Sequence, residues 1–241
     1  MLNVYKTKPM RKHLDEDFYN PKFNEHHISN KHLLVCGGTG TGKSNFLINL
    51  IHQMTNTFSR VIIVTKQLEE PIYAMLKVQL KENCRIIPLE ELETLEKLPK
   101  VGQQLIVFDD FCNCSKQQKL DDYVIRARKY KIICCFLTQS FFATSKIIRQ
   151  NCGYIVLLAL TNQRDFNLIV STFSFPISKD NLKKVIRNAT QYKMNVCIID
   201  VNNPDPNSMI RRNFNDFYTI VTENGNEILY PKLYAGSGLI N

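Results

Sequence analysis

The 241-residue chain contains no tryptophan and only nine glycines. It carries no tandem repeat and no low-complexity tract, which excludes solenoid and fibrous architectures. Its longest apolar run, Tyr154 to Leu160, is far shorter than the roughly 20 residues a membrane-spanning helix needs. Acid is scarce relative to base: 22 Asp and Glu stand against 31 Lys and Arg, for a net charge of +9 and a pI near 9.1. That balance favours a polyanionic partner without identifying one, since many basic proteins bind no nucleic acid. Cys-x2-Cys is absent. Of the eight cysteines, Cys112 and Cys114 are separated by one residue and Cys134 and Cys135 are adjacent, a spacing that argues against both a zinc site and a disulfide framework. Cys36, Cys134 and Cys135 fall in predicted buried strands, where cysteine acts as a small apolar filler. With no signal peptide, reduced thiols inside a cell are the expectation, and the Asn188-Ala189-Thr190 sequon is expected to go unused.

Four of those nine glycines fall between positions 37 and 42, in Gly37-Gly38-Thr39-Gly40-Thr41-Gly42-Lys43-Ser44. This fits Gly-x4-Gly-Lys-Ser, the phosphate-binding loop of P-loop NTPases. An apolar run, His32 to Cys36, precedes it. Asn45 to Met54 follows with apolar residues at helical spacing, so the motif sits in the strand–loop–helix setting it requires. The residue types suit a triphosphate. Glycines let backbone N–H groups turn inward, and the helix N-terminus adds unpaired donors. Lys43 is expected to reach the β- and γ-phosphates and Ser44 to offer its hydroxyl to Mg²⁺.

The chain divides on paper into an N-terminal arm over 1–30, a core over 31–200 and a C-terminal loop, hairpin and tail over 201–241. Met1 to Lys12 is basic and Asp15-Glu16-Asp17 reverses the sign. In the core, strands are predicted at 61–64, 84–87, 105–108, 132–137, 154–158 and 195–199. Helices are predicted at 69–81, 89–98, 116–129, 145–150, 163–172 and 179–189. Alternating strands and helices, with continuously apolar strands, predict an α/β fold with a mostly parallel sheet covered on both faces. Phe214–Val221 and Glu227–Tyr230 read as a hairpin, and Gly236-Ser237-Gly238 as a flexible end.

Asp109-Asp110 closes an apolar strand, where P-loop NTPases place a second acidic motif. Asp109 is the candidate to hold Mg²⁺ and Asp110 to orient and deprotonate the attacking water, although aspartate reaches less far than glutamate. Gln139, at the tip of the next predicted strand, can hydrogen-bond both phosphate and water and so sense the γ-phosphate. Arg126-Ala127-Arg128-Lys129-Tyr130-Lys131 is the densest basic cluster. It reads as an arginine that reaches a neighbouring subunit's nucleotide, as lysines facing DNA phosphates, or as a solvated helix end.

Five segments taken together resemble the DNA-packaging ATPases of the FtsK/HerA superfamily, with the poxvirus-type enzymes of large DNA viruses and virophages as the best likeness. They are the glycine loop, Ile-Val-Phe-Asp-Asp-Phe, Arg-Ala-Arg-Lys-Tyr, Phe-Leu-Thr-Gln-Ser and Ile-Ile-Arg-Gln-Asn-Cys. The likeness spans about residues 30–160, and its Thr-Gln after the strand is more selective than the loop. It implies an ASCE-type P-loop fold and a ring, pentamer or hexamer, that uses ATP and Mg²⁺ to drive double-stranded DNA into a preformed capsid. It implies an arginine acting in trans, for which Arg126, Arg128 and Arg149 are the candidates, and a partner at a capsid vertex or in a viral membrane. It places the protein in the host cytoplasm, at a viral factory, and in the virion. The Asp-Asp pair departs from the Asp-Glu of many superfamily members, and no nuclease domain fits this length. The competing readings are another ring-forming translocase or helicase, a nucleotide-gated assembly factor and a small P-loop kinase, though no lid segment marks the last.

Overall fold

A computed structural model describes residues 31–100, 102–111, 116–175, 177–203, 205–223 and 226–232. The expected N-terminal arm, the flexible end, and Cys112 and Cys114 lie outside these residues. The core opens with β1 (His32–Cys36) and α1 (Lys43–Gln53), then β2 (Arg60–Val64), α2 (Pro71–Leu80) and β3 (Cys84–Ile87). β4 (Gln104–Asp109), α3 (Gln117–Arg126), β5 (Ile132–Thr138), α4 (Lys146–Asn151) and β6 (Cys152–Leu157) follow. α5 (Gln163–Thr172), α6 (Lys179–Ala189), β7 (Cys197–Asp200), α7 (Pro206–Met209), β8 (Ile210–Arg212), β9 (Asp216–Glu223) and β10 (Asn226–Lys232) complete the described residues.

The ten strands among the described residues join one sheet in the order β10-β9-β8-β7-β6-β1-β5-β4-β2-β3. From β6 to β3 every neighbour is parallel; from β6 to β10 every neighbour is antiparallel. The parallel strands are apolar without alternation because each face is buried. Leu34, Cys36, Ile62, Ile106 and Phe108 turn toward α3, α5 and α6. Leu33, Val35, Ile63, Leu105 and Val107 turn toward α1 and α2. Cys36, Cys134 and Cys135 are fully buried fillers of these layers.

Three local expectations change. Residues 89–98 do not form a helix: a single 3-10 turn at Leu89–Glu91 gives way to irregular chain. Leu89, Leu92, Leu95 and Leu98 are all buried, but the carbonyls a helix would use are taken by α3. Lys119 Nζ donates to the oxygens of Leu89 and Leu92, and Tyr123 Oη to that of Glu93. The helix expected through Lys129 ends at Arg126 and tightens into a 3-10 turn at Ala127–Tyr130, closed by Lys131 at φ 59°. The hairpin of β9 and β10 is continuous with the main sheet, because the three-residue β8, which carries no sequence signature of its own, pairs with both β7 and β9.

Candidate nucleotide-binding site

The P-loop lies at the C-terminal edge of the parallel strands, held between two neighbours. Gly37 N donates to Thr138 O (3.1 Å) on one side, and Leu158 N donates to Cys36 O (2.9 Å) on the other. Glycine is required at two positions for different reasons. A Cβ on Gly37 would come within 2.6 Å of Thr41 Oγ1 and 2.8 Å of Leu158 Cβ. Gly42 takes φ 108° as the residue before α1, a backbone conformation that L side chains rarely adopt. Lys43 Nζ lies over the loop, donating to Gly37 O (2.9 Å) and Gly38 O (3.1 Å).

In the sheet order β1-β5-β4, the tips of three strands meet beside this loop. Asp109 ends β4 opposite Leu137 of β5. Asp110 follows at φ 59°, and its N–H still donates to Leu137 O (3.1 Å). This left-handed residue, a conformation aspartate tolerates better than most, turns the chain off the strand. Gln139 Nε2 donates to Asp110 Oδ2 (3.0 Å), and Gln139 Oε1 accepts from Thr39 Oγ1 (3.2 Å). The amide therefore bridges the P-loop to the second acid. Behind it, Thr144 Oγ1 donates to Thr138 Oγ1 (3.0 Å). The buried Asp165 of α5 accepts from Ser140 Oγ (3.0 Å) and Phe142 N (2.8 Å) and fixes the turn that follows β5.

Two residues at the site have no motif to announce them. Tyr73 of α2, fully buried, donates its hydroxyl to Asp109 Oδ2 (2.7 Å) and lies beside the Ser44 hydroxyl. Glu70, the residue that precedes α2 and caps its start with extended backbone, feels the charges of both Asp109 and Lys43. Burial raises the pKa of Asp109; the Tyr73 hydrogen bond and Lys43 pull it down, and Asp110 pushes it up. Burial and then Asp109 likewise raise Glu70. A tyrosine on an amphipathic helix reads as core, and a glutamate before Pro71 reads as a helix start, so neither stood out in the sequence.

The residues suit a divalent cation. The Ser44 hydroxyl and the Asp109 carboxylate converge on one phenol, both are hard oxygen donors, and the partly buried carboxylate carries a charge penalty that a cation would relieve.

Of the three arginines, two stand elsewhere. Arg126 and Arg128 precede β5, at the end of that strand opposite the P-loop; its seven residues put them about 20 Å away. Arg126 is paired with Asp122 (3.0 Å) and Glu96. Arg128 is exposed. Arg149 of α4 stacks on Phe141 at 5.3 Å, and its Nε is buried without a hydrogen-bond partner.

The fold has solved counterparts. The genome packaging NTPase B204 from Sulfolobus turreted icosahedral virus 2, in complex with AMPPCP, shares 16% identity at a TM-score of 0.57, covering 76% of this chain and 96% of that one. B204, the DNA-packaging ATPase from Sulfolobus turreted icosahedral virus, shares 15% at a TM-score of 0.54, covering 76% and 97%. The cytoplasmic domain of the Thermomonospora curvata type VII secretion ATPase EccC shares 14% at 0.52, covering 82% of this chain and 27% of that one. No curated protein matches the chain by sequence. The poxvirus A32 protein family matches residues 20–233. With the match running from before β1 to the end of β10, the chain belongs to the poxvirus A32 protein family, viral packaging ATPases built on the P-loop fold.

Proposed function

We propose that the chain is an ATP-hydrolysing motor that moves double-stranded DNA into a preformed viral capsid. One observation carries the reading: Lys43, Asp109, Asp110 and Gln139 arrive after three strand tips at one edge of the sheet, next to the N-terminus of α1 where the glycine loop ends.

The residues divide the work. The backbone from Gly37, Gly38, Thr39, Gly40, Thr41 and Gly42 cradles phosphate oxygens, and Lys43 leaves the loop carbonyls to neutralise the β- and γ-phosphates. Ser44 and Asp109 would hold Mg²⁺, which supplies charge neutralisation at the phosphates. Asp110, fixed by Gln139, accepts the proton of the attacking water. Gln139 positions that water and gives up its contact when the γ-phosphate departs.

The distance of Arg126 and Arg128 from their own P-loop supports an arginine supplied to a neighbour in a ring of five or six subunits. Arg128 is the better candidate, since Arg126 is committed to Asp122 and Glu96 and Arg149 is packed on Phe141. The net charge of +9 suits a sequence-independent grip on the DNA backbone that weakens with salt. The motor would dock at a capsid vertex or on a viral membrane protein, acting in the viral factory of the host cytoplasm and travelling with the virion.

The test is the ATPase rate with and without long duplex DNA. Wild type should hydrolyse ATP faster with duplex, and Lys43→Ala should abolish turnover. An equal rate in Lys43→Ala overturns hydrolysis at this site. Turnover that ignores DNA replaces the motor with a nucleotide-gated assembly factor.

A further inference from the structure

The surroundings of the P-loop are lopsided. Gln139, Asp110 and Asp109 occupy the β5–β4 side. The other flank is formed by Leu158, after β6, and by the turn at 190–195 that leads into β7. Because β7 runs antiparallel to β6, this turn lies at the same sheet edge as the loop. Met194 sits in it at φ 69°. A Cβ on Gly42 would come within 2.4 Å of the Met194 sulfur and 3.6 Å of Leu158 Cδ2.

The turn is built firmly. Asn195 N donates to Tyr192 O (3.1 Å), Val196 N to Asn213 Oδ1 (3.1 Å) and Asn213 N to Val196 O (2.8 Å). The next residue, Phe214, stacks on Phe46 in the first turn of α1, with centroids 5.5 Å apart and planes at 7°. A rigid scaffold therefore fastens residues 190–195 to the start of the phosphate-binding helix. Yet it leaves Tyr192 66% exposed and Met194 44% exposed. The Met194 sulfur packs on Gly42, but an aromatic ring left in water on this turn gains nothing for the fold.

We infer that Tyr192 and Met194 form the platform on which the purine base of the bound nucleotide rests. This rests on the nucleotide reading of the P-loop and adds the recognition of its base. A triphosphate whose last phosphate meets Gln139 and Asp110 runs back along the loop, so its nucleoside emerges on the flank away from the acids. That flank is where the tyrosine and methionine stand. Both groups present polarisable apolar surface to a π-face.

The experiment compares binding of ATP and of inorganic tripolyphosphate to the full chain in millimolar Mg²⁺ by calorimetry. Tripolyphosphate carries the phosphates without the base. Tyr192→Ala is expected to weaken ATP about tenfold, the scale of a lost base–aromatic stack, and to leave tripolyphosphate unchanged; Tyr192→Phe should bind both as wild type does. An ATP-to-tripolyphosphate affinity ratio that Tyr192→Ala does not change overturns the platform alone, whether both ligands hold or both weaken equally. Failure of wild type to bind tripolyphosphate overturns the phosphate-loop reading and the platform with it.

Discussion

The Gln139 amide donates to the Asp110 carboxylate at 3.0 Å while accepting from Thr39 at 3.2 Å, so the acid, the strand tip and the P-loop are one hydrogen-bonded unit. Gln139→Ala frees Asp110 and removes a donor from the reacting phosphate. We expect kcat to fall about a hundredfold. Asp110→Asn should cost about as much or more if this acid is the base, and asparagine tolerates its left-handed backbone. Glu70→Gln should cost less than tenfold; a ranking that puts Glu70 above Asp110 in steady-state turnover would move the base to Glu70.

Tyr73→Phe removes the hydroxyl that holds Asp109 in place and lowers its pKa. The acidic limb of the ATPase profile should move to higher pH, because Asp109 then protonates more readily. The Mg²⁺ concentration for half-maximal turnover should rise about tenfold, as for other lost ligand-orienting contacts. Titrating Mg²⁺ at two pH values reads both effects.

Arg128→Ala should lower kcat by about a thousandfold or more if it acts on the next subunit, and leave ATP binding in place. The decisive measurement mixes this variant with Lys43→Ala. Each protein alone is inactive; mixed rings regain activity only where an intact arginine faces an intact loop. Recovery with Arg126→Ala in place of Arg128→Ala would reassign the role.

His32 is buried, and burial chiefly, with help from the Arg128 charge, depresses its pKa from 6.5 to about 4. It stays neutral in the fold, accepting at Nδ1 from Cys134 N (2.9 Å). Between those two values the unfolded chain takes up a proton that the folded chain refuses. Stability should therefore fall as pH drops from 6.5 toward 4, by up to about 1.4 kcal/mol per unit from this group, with no contribution above that range. His32→Asn should flatten urea-denaturation midpoints across the window.

The phosphate loop, the β4 acids and Gln139 were legible because each couples a local motif to an apolar strand, and strand order alone brings them together. Tyr73 and Glu70 were not, because their meaning comes from the start of α2 meeting the end of β4, a tertiary fact with no local pattern. The segment 89–98 misled for a related reason: leucines three apart suit a helix, but Lys119 and Tyr123 claim its carbonyls from another element. The place of Arg126 and Arg128 follows from strand direction, since residues that enter β5 must lie at the far end from those that leave it.

Asp165 has a mechanical consequence. One carboxylate near the start of α5 grips both Ser140 and Phe142, and Arg164 beside it lies flat on the Phe142 ring at 3.5 Å. The turn after β5 and the head of α5 are thereby welded into a lever. A displacement of this turn would therefore pass directly to the ten-residue helix Gln163–Thr172 instead of being lost as slack in a loose connection.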